Sequence, residues 1–123
     1  MLRFKNKIVV ITGAGSGIGR STALRLDSEG ADLLIVDKSP DDLEATKNML
    51  SNNNSSAHVL DISSINSSKQ FFDDLEEKHK KLDALINVAG ILRFDNSHEV
   101  ELENWNQILN INLTGTFFMC KHA

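Results

Sequence analysis

Tyrosine is missing from all 123 residues, so no phenol is on hand for proton transfer. Cysteine is reduced to Cys120, which rules out an internal disulfide and fits a reducing compartment, the cytoplasm. The four histidines share no ligand spacing with that cysteine, and no metal site is expected. Long apolar runs are absent too: none approaches the roughly 20 residues of a membrane span. The charged start Arg3-Phe4-Lys5-Asn6-Lys7 leads into only the short run Ile8-Val9-Val10-Ile11, which is not the pattern of a secretory leader. Basic stripes are lacking in a chain of net charge −4, so nucleic acid is not an expected partner. The one local concentration of lysine, Lys78 to Lys81, falls at the end of a helical pattern, where cations complement the helix dipole. Proline occurs once, and Ser39-Pro40 reads as an N-cap followed by a first helical residue.

What remains is an ordinary globular composition, 41% apolar and 24% charged, arranged as alternating strands and helices. Strands are expected near residues 7–13, 31–37, 57–61 and 82–89, and helices near 17–29, 40–51 and 65–80. The strands are short and apolar throughout, the pattern of a parallel sheet covered on both faces. Right-handed crossovers then give strand order 3-2-1-4 in a doubly wound α/β fold. The polar tracts Ser51 to Ser56 and Ser63 to Ser68 read as loops of ordinary length, so residues 1–123 form one domain. A final helical pattern, about Leu102 to Lys121, carries Gly115 between Thr114 and Thr116, and a bend is expected near Asn112. Cys120 falls on the apolar face of that pattern and reads as core.

Directly after the first strand comes Thr12-Gly13-Ala14-Gly15-Ser16-Gly17-Ile18-Gly19. A strand that breaks into glycines and restarts as a helix aims backbone N–H groups at one spot, which suits a pyrophosphate. Glycine permits the left-handed turns and close backbone approach such a site needs. The spacing is neither G-x-G-x-x-G nor a Walker loop: Ile18 or Arg20 would take the third glycine place, and no Gly-Lys-Ser/Thr follows. It is T-G-x-x-x-G-x-G, and in this the chain resembles the short-chain dehydrogenase/reductase family, with a Rossmann-like fold.

That resemblance implies a set of cofactor contacts beyond the glycines. Asp37, at the end of the second strand, is placed to accept from the adenosine ribose hydroxyls and to repel a 2′-phosphate, favouring NAD over NADP. Lys38 and Arg20 could soften that preference, whereas Ser16 stands where many NADP-binding members carry a basic residue. Asp61-Ile62 matches the family's adenine contact, although an Asp at a strand end also makes a turn or helix cap. Asn87-Val88-Ala89-Gly90 matches a segment that is usually Asn-Asn-Ala-Gly and passes the nicotinamide ribose. With Val88 replacing the second Asn, Asn87, Ala89 and Gly90 are kept as cofactor-side candidates, and a bracing role for Asn87 stays open.

The tract Asn110 to Phe117 resembles the helix that carries the family's active-site Asn, which places Asn112 in that role, holding a water of the proton relay. The family's Ser and its Tyr-x-x-x-Lys pair are not found; Phe117 and Lys121 have the latter spacing, but a phenyl ring has no proton to give. His58 and His98 have no partner motif and read as structural. The resemblance therefore implies the cofactor-binding half of an oxidoreductase, an incomplete domain whose whole form is expected to act on a secondary alcohol or ketone and to be a homo-oligomer. The other reading is a half-domain that holds NAD(H), or pairs with a full-length subunit, without catalysis.

Overall fold

In the computed structural model, which describes all 123 residues, four parallel strands lie in the order β3-β2-β1-β4. They are β1 (Ile8–Thr12), β2 (Asp32–Asp37), β3 (Ser56–Val59) and β4 (Ala84–Ile86). Helices α1 (Gly17–Ser28), α2 (Pro40–Met49) and α3 (Ile65–His79) make the crossovers. This is the doubly wound, Rossmann-like arrangement anticipated above. Strand parity sorts the core into two layers. Val9, Ile11, Leu33 and Ile35 pack with Ala23, Leu26 and Leu43 of α1 and α2. Ile8, Val10, Leu34 and Val36 pack with Phe71, Phe72 and Leu75 of α3 on the other face.

Local chemistry sets the helix ends. Ser39 Oγ accepts from Asp42 N–H, Pro40 opens α2, and Asp41 and Asp42 lie in its positive first turn. Ser64 caps α3 in the same way, so Ser63 to Ser68 is a cap and first turn rather than a loop, with Ser68 fully buried. Lys80 ends α3 in the left-handed conformation at φ 63°. Strand β4 is shorter than its apolar run because side chains take over its ends. Asp83 Oδ2 accepts from Ile8 N–H at 2.8 Å, and Thr12 Oγ1 accepts from Val88 N–H and Ala89 N–H, both at 3.1 Å.

After β4 the chain passes a short 3₁₀ turn (Ser97–Glu99), then α4 (Leu102–Leu109), a π-helical segment (Asn110–Gly115) and α5 (Thr116–His122). The expected bend is thus a change of hydrogen-bond pattern. Gly115 permits it by packing on β3's exit, where a Cβ would stand 2.9 Å from Ile62 O. The wider π turn shifts the helix face, so Met119 enters the core and Cys120 is exposed, against the expectation of a core cysteine.

At the opposite end of the sheet, the Glu29 carboxylate is held by Arg3 and Arg25. The hydrogen bonds from these two guanidinium groups, Arg3 first, lower its pKa from 4.5 to about 2. A carboxylate depressed on folding stabilises the native state above its unfolded pKa, and the contribution fades as pH falls from about 4.5 toward 2. Glu29→Gln is expected to flatten the pH dependence of urea midpoints across that window; an unchanged slope would show that the clamp is not coupled to folding.

Candidate functional site

The carboxyl ends of β1, β2, β3 and β4 surround a cavity of about 400 Å³. Gly13, Ser16, Gly17 and Ile18 come from the turn after β1, and Val36, Asp37, Lys38 and Ser39 from the end of β2. Asp42 of α2 and Leu60, Asp61 and Ile62 after β3 continue the wall. Val88 to Ile91 and Ile111 of the π segment close it. A volume in this range accommodates a small organic ligand.

The glycine turn is built to come close to something. At Gly19 an added Cβ would lie 2.0 Å from Gly13 O, so only glycine lets the turn fold back onto α1. At Gly17 φ is +51° and, its own turn of helix aside, no protein atom lies within 4 Å of where a Cβ would stand. That bare backbone opens the first turn of α1. Unlike α2 and α3, α1 has no side-chain cap, although Ser16 sits at the N-cap, and its first turn carries no acidic residue. Its N-terminal N–H groups therefore have no side-chain acceptor, and they lie at the cavity wall. An anion there would meet the positive end of the helix dipole.

The strand-end carboxylates are held in place. Asp37 Oδ2 accepts from Gly15 N–H at 2.9 Å and Oδ1 accepts from Ser39 N–H at 3.0 Å. Each oxygen keeps a lone pair for a further donor. Asp61 Oδ1 accepts from the Ser63 hydroxyl and N–H at 2.7 and 2.9 Å. The Ser63 hydroxyl is the main reason its pKa lies below the ordinary carboxylate value. Lys38 is the only cation of a lining that also holds Asp37, Asp42 and Asp61.

Thr12, Gly15, Gly19 and Asn87 lie around the cavity rather than on it. Thr12 is fully buried and pins Val88 and Ala89 to β1. Gly15 and Gly19 shape the turn from behind. Asn87 does not line the cavity; its Nδ2 donates to Cys120 Sγ at 3.3 Å, while Val88, set aside on sequence, does line it. The motif locates the segment, but only the strand's pleat decides which neighbour faces inward. Ile62 lines the cavity and is also a core residue, 5% exposed.

Asn112 is held close by. Its Oδ1 accepts from Ile91 N–H and its Nδ2 donates to Ile91 O, both at 2.8 Å, which ties the β4 exit to the π segment. His58 stacks edge-on against Phe71 beside Ser56 Oγ, and burial, then Lys78, keeps its pKa below the usual imidazole value. Arg20, weighed on sequence only for the choice between NAD and NADP, and Thr46, which no motif singled out, also reach the turn.

Comparison with known proteins agrees with this geometry. Residues 7–123 match the family model described as short chain dehydrogenase. The chain is 34% identical to a 3β-hydroxysteroid dehydrogenase of Mediterraneibacter gnavus, over 98% of its own length and 45% of that protein's. It is 37% identical to a levodione reductase of Leifsonia aquatica, over 94% and 45%. Among solved structures, an NAD⁺-bound xylitol dehydrogenase superposes with TM-score 0.91 at 29% identity, covering 98% of this chain and 47% of that one. A short-chain dehydrogenase/reductase from Brucella melitensis superposes at 0.93 with 30% identity, covering 99% and 50%. The chain spans about half the length of the curated relatives it matches.

Proposed function

This chain belongs to the short-chain dehydrogenase family, and from that premise we propose that its cavity receives a nicotinamide dinucleotide, NAD in preference to NADP. The observation that carries the reading is the α1 N-terminus, uncapped and opening through Gly17 onto the cavity, which fits a pyrophosphate. Asp37 would then take the adenosine ribose, with Asp61 and Ile62 beside the adenine. Three carboxylates against the single Lys38 disfavour an added 2′-phosphate. Ala89 and Gly90, which line the cavity after β4, would then sit beside the nicotinamide ribose, with Asn87 two residues before Ala89 in the same segment.

For the whole protein we propose interconversion of a secondary alcohol and a ketone. When bound, the cofactor would supply or accept the hydride. The names of the relatives, a hydroxysteroid dehydrogenase, a levodione reductase and a xylitol dehydrogenase, support that substrate class and leave its members open. The active-site part assigned to Asn112 is to hold a water of the proton relay from within the π segment. The exposed Leu102, Trp105, Leu113 and Phe117 are in keeping with a whole protein that assembles as a homo-oligomer.

The absence of tyrosine favours a second reading for the 123 residues taken alone, a half-domain that binds NAD(H) without turning it over. Titration of the purified chain with NADH, followed by fluorescence, is expected to show binding but no oxidation in the presence of ketones. Oxidation of NADH by this chain would overturn the second reading, and failure to bind NADH would remove the cofactor reading itself.

A further inference from the structure

Building on the cofactor reading, we infer that Arg20 and Thr46 are positioning residues that hold the glycine turn in its anion-receiving conformation. Neither lines the cavity. Thr46 lies in α2 and is fully buried, where a valine would pack as well. Its hydroxyl is what is used. Thr46 Oγ1 donates to Ala14 O at 2.8 Å and accepts from Arg20 Nε at 2.9 Å. Arg20 Nη2 in turn donates to Gly15 O and, at 3.3 Å, to Asp42 O.

Two consecutive carbonyls of the turn, Ala14 and Gly15, are thereby captured by side chains of the two flanking helices. In a planar trans peptide the C=O and the following N–H point in opposite directions. Fixing Ala14 O therefore fixes Gly15 N–H, and that N–H is found on Asp37 Oδ2 at 2.9 Å. Fixing Gly15 O likewise directs the Ser16 N–H away from Arg20, and Ser16 belongs to the cavity wall. The brace thus links the turn's carbonyls to α2 on one side and its N–H groups to Asp37 and the cavity on the other.

Selectivity follows from the same bonds. The Arg20 guanidinium, though next to the glycines, is committed to Thr46, Gly15 and Asp42 and does not serve as a counter-ion for a 2′-phosphate. Losing it should weaken NAD and NADP alike.

The test is titration of the 123-residue chain and its variants with ADP-ribose, adenosine, NAD and NADP. Thr46→Val, which keeps the volume and deletes the hydroxyl, should weaken ADP-ribose about tenfold, whereas adenosine, with no phosphate, should stay within about twofold. Thr46→Ser should restore ADP-ribose affinity, which a packing role would not. Arg20→Ala should leave the NAD/NADP ratio unchanged. Unaltered ADP-ribose binding in Thr46→Val, or a loss in Arg20→Ala confined to NADP, overturns the inference. Should the parent chain bind none of the four, the cofactor reading falls, and the brace is judged by amide exchange in the free chain. Gly15 N–H should then exchange about tenfold faster in Thr46→Val and recover in Thr46→Ser; an unchanged rate overturns the brace.

Discussion

Gly19→Ala is expected to abolish dinucleotide binding and to lower the stability of the chain by about 2–3 kcal/mol, the cost of overpacking a site that cannot relax. The added methyl would stand 2.0 Å from Gly13 O and 2.6 Å from Gly13 C, both backbone atoms. The turn has little freedom to retreat, because Ala14 N–H donates to Val36 O at 3.0 Å and Ala14 O is taken by Thr46. Gly17→Ala gives the contrast that identifies the cause. Its own turn of helix aside, it meets no atom within 4 Å, and its stability loss is the left-handed backbone term, about 1–2 kcal/mol. Its methyl would nevertheless project into the space kept for the ligand, so binding should fall while the fold survives. Urea unfolding measures the first effect and NADH titration the second. If Gly19→Ala shifted stability by no more than Gly17→Ala, the close packing of the turn would not be what requires glycine at position 19.

The parts of this molecule that could be read from sequence are those decided within a few residues. The break of β1 into glycines, the Ser39-Pro40 start of α2, the acidic end of β2 and Asp61 just after β3 are local signals, and the structure places them at one edge of the sheet. Strand order followed from handedness, which is a property of the backbone and not of particular side chains. What was not legible depends on parity and on contacts between distant segments. Val88 faces the cavity and Asn87 turns toward Cys120 because of the pleat at the end of β4. Cys120 is exposed because six π-helical residues upstream reset the helix face, and α-helical periodicity cannot register that. No sequence motif singles out Thr46. Its hydrogen bond to Ala14 O exists only because α2 packs beside a turn 32 residues earlier in the chain.

Asp37→Ala is expected to weaken NAD by about tenfold or more, with the loss of charge-assisted hydrogen bonds, and to narrow the gap between NAD and NADP. Two contributions are superposed in that residue. Its carboxylate braces Gly15 N–H and Ser39 N–H, and its remaining lone pairs are available to ribose hydroxyls. Adenosine separates them, since it presents the ribose hydroxyls without a phosphate. A variant that only slackens the glycine turn, such as Thr46→Val, should spare adenosine, whereas Asp37→Ala should weaken it as well. The NADP arm reports the charge. Removing a carboxylate beside the place of a 2′-phosphate lifts a like-charge repulsion, so NADP should lose less than NAD or gain outright. Asp37→Asn should behave in the same direction, because its amide offers one acceptor oxygen where two N–H groups and the ribose compete. An NAD/NADP ratio unchanged by either substitution, with adenosine affinity intact, would leave Asp37 as a brace for the turn and place the choice of cofactor elsewhere in the whole protein.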